Sequence, residues 1–532
     1  MNKDNADKDL SYKVAAIQFN PVQGDVASNQ QRMAGLLSEA ADNGARLIVF
    51  PEMASSGYVW NDREEIAPFV ETIPGPTTVS LLAVTHKYRC YVAVGLPEVD
   101  SVTGAYYNSA VLIGPDGVVG KYRKTHLFAA DPRWAREGNE GIAVFATEIG
   151  NIALLICMDA MYFEPARIAA LQQADVIAFP TNWVGAGNNE PSKTWCIRAK
   201  ENGVYWVAAN RSDTERGALF TGGSAVIVQD GSVQNARVSG EGIVYGTVWL
   251  NTVARHRLIE GRRPEAYQEL LLHPYLWKEG ETRGINTASA YEVIVLALGA
   301  TDAAATCIDR LSAAMDEAKS RFRVSNRLYV LPEFHVAAAS DSGQDKELLS
   351  GIQRLAESNN EFVVLGLSKG TGGKPTASVY LLGPDGVVGH YSQVHPDSPE
   401  QADPNARFCT FELPFGRVGL LTERDAEYPE SYRILAKQGA DIIAVSGSGK
   451  ESLNTWMKRI WAFENDAIVA CSLPSGVSGS LLFLHRKLAM EGAADQEALI
   501  GLIEPEMTEA ARSRSFMRRL KTHLYDSLVM GG

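Results

Sequence analysis

The sequence predicts an α/β fold built twice in one chain, and three observations carry that prediction. The first is an exact internal repeat: GPDGVVG stands at residues 114–120 and again at 383–389, a spacing of 269. The second is that three further blocks recur in the same order at nearly the same distance. LIVFPEMASSG matches LYVLPEFHVAA, the segment beginning GNIALLICMDAMYFEPAR matches GRVGLLTERDAEYPESYR, and AKENGVYWVAAN matches AFENDAIVACS. Glu52 thereby faces Glu333, Gly150 faces Gly416 and Glu201 faces Glu464. The third is that short apolar runs alternate with segments of helical spacing, the pattern of strands and helices sharing one core. A period of roughly 265 residues is far longer than a solenoid repeat, so the halves are two related domains.

The elements follow in order. VAAIQFNP and RLIVFPE are apolar runs bounded by turn residues, and NQQRMAGLLSEAADNGA between them has helical spacing and ends at Gly44, a β-α-β start. YVAVGLPEV and YYNSAVLIGPDGVVGKYRK read as strands, with PDG as the hairpin turn between β-branched runs. The NIALLIC strand, the EPARIAALQQA helix and the DVIAFP strand add another unit around a largely buried sheet. Periodicity is lost between about residues 270 and 291, in LLHPYLWKEGETRGINTASA. The expected division is therefore 12–280 for the first domain, 290–505 for the second and 506–532 for a tail.

Composition bounds the function. With 532 residues, 45% hydrophobic and 21% charged, the chain can bury sizeable cores and is neither disordered nor fibrous. Its 50 Lys+Arg against 63 Asp+Glu give a net charge of -13, which argues against nucleic acid or an anionic membrane as partner. Six cysteines (Cys90, Cys157, Cys196, Cys307, Cys409, Cys471) form no CxxC pair, so neither a disulfide framework nor a thiolate zinc site is indicated and a cytoplasmic setting is expected. The polar start MNKDNADKDL has no apolar h-region, and no apolar run approaches the ~20 residues that span a bilayer.

Three strand ends present chemistry. RLIVF leads into Pro51-Glu52, KYRK ends at Lys124, and NIALLI leads into Cys157. Singly, each has an ordinary reading: a thiol packed in a core, a carboxylate capping the next segment, a solvated lysine. Together they would make a nucleophilic catalyst without histidine, because a carboxylate can take the thiol proton and an ammonium can lower the thiol pKa and meet a developing oxyanion.

With those residues go FPEMASSGY (50–58), KYRKTHLF (121–128), CMDAMYFEPAR (157–167), ADVIAFPTNW (174–183) and RAKENGVYWVAANR (198–211), a set that resembles the nitrilase superfamily of carbon-nitrogen hydrolases. The resemblance implies an α-β-β-α sandwich in each half, the two packed as an intrachain pseudo-dimer, with a further homo-oligomer left open. It implies Glu52 as general base, Lys124 as oxyanion stabiliser aided by the N–H of Met158, and Cys157 as nucleophile forming a thioester, with no metal and no cofactor. Asp131 stands where many members carry a second glutamate, with Glu137 as a substitute. Tyr58, Trp134 and Trp183 are candidates to line the pocket, and His126 resembles a family-typical residue near the lysine, with a supporting or packing role rather than a catalytic one. Cys157-Met158-Asp159 resembles the Cys-X-Asp of amidase-like and carbamoylase-like branches, so a small amide or carbamoyl compound is the expected substrate. A nitrile, an acyl transfer to an amine, or a catalytically weak binding or regulatory role are the alternatives. Ala160 stands where some carboxylate-recognising carbamoylases carry an arginine, which disfavours that branch.

The second half tests which residues the fold needs. Gly120, Tyr122, His126, Asp159, Tyr162, Arg167 and Asp175 have counterparts in Gly389, Tyr391, His395, Asp425, Tyr428, Arg433 and Asp441. Lys124 faces Gln393 and Cys157 faces Glu423, so the thioester route is closed there. A new site from Glu333, Gln393 and Glu423 is the weaker reading of that half.

Overall fold

The computed structural model describes residues 11–530 apart from 186–189, 251–258, 274–288, 301, 322, 337–343, 372–373, 397–402, 450–454, 486–487 and 513–515. The segment expected to divide the halves falls largely on 274–288, outside the described residues. The chain forms two compact units: one is drawn from residues up to Gly261 together with His523–Leu528, the other from Arg262–Thr522.

The first unit opens with β1 (Ser11–Gln18), α1 (Val26–Asp42) and β2 (Ala45–Val49). Asp25 caps α1 by accepting a hydrogen bond from the Ser28 N–H, and Met33, Leu37 and Ala40 share its buried face. Then come α2 (Arg63–Ile66), α3 (Pro76–Tyr88) and the strands β3 (Tyr91–Val99), β4 (Tyr106–Gly114) and β5 (Gly117–Arg123). The β4–β5 hairpin turns at Pro115-Asp116 as the PDG motif predicts, with Gly114 paired to Gly117. Next are β6 (Val144–Thr147), β7 (Gly150–Leu154), α4 (Phe163–Leu171), β8 (Val176–Pro180), α5 (Lys193–Asn202) and β9 (Tyr205–Ala209). The small strands β10 (Thr214–Glu215) and β11 (Ala218–Leu219) precede β12 (Ser224–Ile227), β13 (Val233–Arg237) and β14 (Gly242–Trp249).

Two six-stranded sheets result, β14-β1-β2-β3-β4-β5 and β13-β12-β9-β8-β7-β6. They face each other through β1 against β9 and β12 and through β3 against β8, while α1 and α3 cover one outer face and α4 and α5 the other. This is the expected α-β-β-α sandwich. Strands β2, β7 and β8 lie parallel to their inner neighbours, so both of their faces are covered and they read as unbroken apolar runs.

The second unit repeats the plan. One sheet orders Gly386–Ser392, Lys374–Gly383, Phe362–Thr371, Arg327–Val336, Tyr291–Leu296 and Ala498–Ile503; the other orders Thr410–Leu413, Gly416–Thr422, Ile442–Ser446, Ile468–Ser472, Leu481–His485 and Leu488–Glu491. The residues kept in both halves do structural work. A Cβ at Gly120 would enter the Phe145 ring, and one at Gly389 the Phe411 ring. Asp175 accepts from the Asn151 N–H at 2.9 Å, as Asp441 does from that of Arg417. Arg167 donates to the Glu201 carbonyl at 3.0 Å and ties α4 to α5; Arg433 does the same to Glu464 at 2.9 Å.

Candidate active site

Three chain turns bring the chemistry together. After β2 the chain turns at once: Met53 adopts φ 54°, in the left-handed region, and Gly95 of β3 lies against the backbone of Glu52 and Met53. A Cβ at Gly95 would stand 2.5 Å from the Glu52 Cα, so only glycine admits this close approach. The turn points Glu52 inward, fully buried. Its Oε1 accepts from Lys124 Nζ at 2.7 Å and from Asn108 Nδ2 at 2.7 Å, and its Oε2 accepts from the Asn182 N–H at 2.9 Å. Lys124, just past β5, also donates to Asp131 Oδ2 at 2.7 Å, so one ammonium bridges two buried carboxylates.

Cys157 follows β7 and opens a 3-10 turn, Cys157–Met161, with φ 44°. A left-handed conformation at a non-glycine residue costs about 1–3 kcal/mol and persists only where the surroundings impose it. Asp159 braces the turn: one oxygen accepts from the Ile156 N–H at 2.8 Å and the Tyr122 hydroxyl at 2.9 Å, the other from the His126 N–H at 3.1 Å and His126 Nδ1 at 3.0 Å. The strand end that carries Lys124 and the turn that carries Cys157 are thus fastened to one carboxylate.

At the thiol, opposing effects meet. Burial pushes the Cys157 thiol well above its ordinary value and Glu52 adds to the rise; Lys124 opposes it without prevailing. A thiol raised in this way draws its reactivity from the neighbouring base rather than from a standing thiolate. Burial also raises Glu52 despite Lys124, which makes it a stronger base than a free carboxylate. For Lys124, burial disfavours the charge, but Asp131 and Glu52 carry its pKa well above the usual lysine value.

Of the other candidates, Asp131 is fully buried on Lys124, while Glu137 is only half-buried. Met158 is half-buried in the turn beside Cys157. Tyr58 is buried, and burial followed by the charges of Asp131, Glu52 and Cys157 raises its hydroxyl, which places it at the site. Trp134 packs with Tyr58 and Phe220 in an apolar cluster flanking these groups. Trp183 is half-buried, its backbone N–H donating to Asn210 Oδ1 at 2.9 Å and its ring edge-on to Trp195. His126 is stacked on Tyr162 at 4.3 Å and belongs to the Asp159 network.

Sequence reading missed Asn108 and Asn182. Asn108 Nδ2 reaches both Glu52 Oε1 and, at 3.3 Å, Asp131 Oδ1. The repeat held the signal, because at the spacing of 269 Asn108 faces Ala377 just as Lys124 faces Gln393. In the second half Glu333 lies within a continuous strand, Arg327–Val336, and neither Phe334 nor Glu423 has a positive φ. Glu423 Oε2 is taken up by the N–H groups of Ser448 and Gly449 and the Ser448 hydroxyl at 2.8–2.9 Å. Gln393 donates to the His395 carbonyl. Among the described residues no helix is long and apolar enough to cross a membrane, and no group of three or more His, Cys, Asp or Glu could hold a metal ion.

Comparison with known proteins converges on one family. The profile of carbon-nitrogen hydrolases matches residues 13–257 and again 299–493, one match in each half. A nitrilase of Pyrococcus abyssi is 39% identical over 215 residues, covering 40% of this chain and 80% of the relative. An omega-amidase of Bos taurus is 28% identical over 278 residues, covering 48% of this chain and 97% of the relative. Among solved structures, an amidase from Nesterenkonia sp. AN1 in complex with butyramide aligns with TM-score 0.42 and 22% identity over 48% of this chain and 95% of that one. With both halves matched by the profile over most of their length, the chain belongs to the carbon-nitrogen hydrolase family.

Proposed function

We propose that the first half hydrolyses the C–N bond of a small amide or N-carbamoyl compound through a thioester on Cys157. The observation that carries this reading is the convergence of Glu52, Lys124 and Cys157 from three strand ends, in the half that retains all three. Glu52 removes the Cys157 proton as Sγ attacks the carbonyl carbon, and Lys124 with the Met158 N–H stabilises the resulting oxyanion. The Glu52 carboxylic acid then protonates the departing nitrogen, ammonia leaves and the thioester forms. Water attacks the thioester with Glu52 again as base, which releases the acid and returns the thiol. Lys124 keeps its proton throughout, and Asp131 and Asn108 hold it and Glu52 in register. Tyr58, Met158 and Trp183 border the acyl group.

The second half, with Glu423 and Gln393 engaged in local bonds, is proposed to be silent. A nitrile is the second reading, favoured by the nitrilase name of the Pyrococcus relative. The Cys-X-Asp signature weighs less against it than sequence alone suggests, because Asp159 has the structural counterpart Asp425 in a half without a nucleophile. Ammonia release from a panel of amides, carbamoyl compounds and nitriles tests the proposal. Cys157→Ala should abolish turnover on the active members, and full turnover by that variant would remove Cys157 from the mechanism.

A further inference from the structure

The internal repeat extends past the blocks that define it. Tyr267-Gln-Glu-Leu-Leu271 and Tyr525-Asp-Ser-Leu-Val529 share a Tyr-X-X-Leu pattern followed by an aliphatic residue. Both fold as 3-10 turns, Gln268–Leu271 and Asp526–Leu528, and in each the leucine N–H returns to the tyrosine carbonyl, at 2.8 and 2.9 Å. Tyr267, Leu270, Tyr525 and Leu528 are all buried. The turn after Tyr267 packs on the helix Pro429–Lys437, and the turn after Tyr525 packs on α4, the equivalent helix of the first unit.

Each segment therefore belongs to a unit other than the one whose sequence it directly follows. Arg262 onward is part of the second unit, and the first unit is completed by His523–Leu528. In the second unit the strap is well anchored. Arg262 pairs with Glu430 at 2.9 Å, Lys437 donates to the Leu270 carbonyl at 2.6 Å, and the Tyr267 hydroxyl meets His395 Nε2 at 2.6 Å. His395 is bound in turn to Asp425, the counterpart of Asp159. In the first unit that network is the one that fixes the Cys157 turn. His126 Nε2 is buried there with no hydrogen-bond partner among the described residues.

We infer that segment 523–528 is a positioning element of the active site: its turn, seated on α4, holds the helix that directly follows and packs on the Cys157–Met161 turn, and through that helix the turn itself. Catalysis in the first half thus depends on a segment encoded after the second half. The inference rests on the Cys157 reading given above. Its test uses the full chain with Tyr525→Ala and Leu528→Ala, beside Tyr267→Ala and the exposed Asp526→Ala. Turnover is measured together with the rate of iodoacetamide alkylation at Cys157, located by mass spectrometry. The expected result is a tenfold or greater fall in kcat and a changed Cys157 alkylation rate for Tyr525→Ala and Leu528→Ala, at a temperature where both remain folded by circular dichroism. Tyr267→Ala should lower only the melting temperature, and Asp526→Ala should change neither. Activity and alkylation within twofold of the parent in both Tyr525→Ala and Leu528→Ala would overturn the inference, as would an equal loss in Tyr267→Ala. Should Cys157→Ala itself stay active, the catalytic reading falls instead, and the two failures are told apart.

Discussion

Asn108 divides one amide between two carboxylates, and that shared donor favours the ionised form of Glu52. Glu52 sits above its ordinary pKa because it is buried, so kcat/KM should fall as pH drops through that raised value and the base becomes protonated. Asn108→Ala removes a donor that favours the ionised form. A hydrogen bond to a charged group contributes about 1.5–3 kcal/mol, so the acid limb should move to higher pH by roughly one to two units. A pH–rate profile with an unmoved limb would show that Asn108 does not set the ionisation. Glu52, Lys124 and Cys157 were legible in the sequence because each ends an apolar strand run, where a polar residue stands out. Asn108 was not, because it lies inside β4 and reads as one more strand residue; only three-dimensional pairing with β3 and β5 turns it toward the carboxylates.

At the scale of the element, the turn after β7 depends on Asp159 far more than on the propensities of its own residues. An asparagine there loses the charge and part of the acceptor capacity, leaving buried donors poorly paired. Asp159→Asn should destabilise the protein by about 2–4 kcal/mol in urea unfolding and cut turnover together. Asp425→Asn should have a similar unfolding cost with turnover retained below the transition. Gly95→Ala belongs with these: its Cβ would displace the Glu52 backbone, and a loss of activity of about a hundredfold is expected, read as kcat at constant fold. The long elements were legible from periodicity, α1 and the β4–β5 hairpin above all. The segment 262–272 was not. Chain order assigns it to the first domain, 12–280, because nothing local records the helix, more than 150 positions away in sequence, that buries it.

Over the whole molecule, chain order and spatial order disagree. Because the first unit is completed by His523–Leu528, a chain ended at Gly261 leaves the Tyr525 and Leu528 seats on α4 open to water. Such a fragment should melt several degrees below the parent's first unit and turn over more slowly, checked by differential scanning calorimetry alongside ammonia release; equal melting and rate would mean the segment adds nothing to that unit. The two-domain organisation was visible in the repeat, whereas this crossing was not, since no local pattern records which unit a short apolar turn will join. The relaxed backbone of the second half has a further consequence for attempts to revive it. Cys157 and Met53 are held in left-handed conformations, while Glu423 and Phe334 are not, so the silence proposed for the second half would rest on its backbone as well as on its side chains. Gln393→Lys with Glu423→Cys, placed in a Cys157→Ala background, would supply a complete set of reactive groups on an unsprung frame. On the proposed reading, restoring the side chains alone is expected to leave the second half without turnover, because the left-handed turns that present Cys157 and Glu52 in the first half would still be missing.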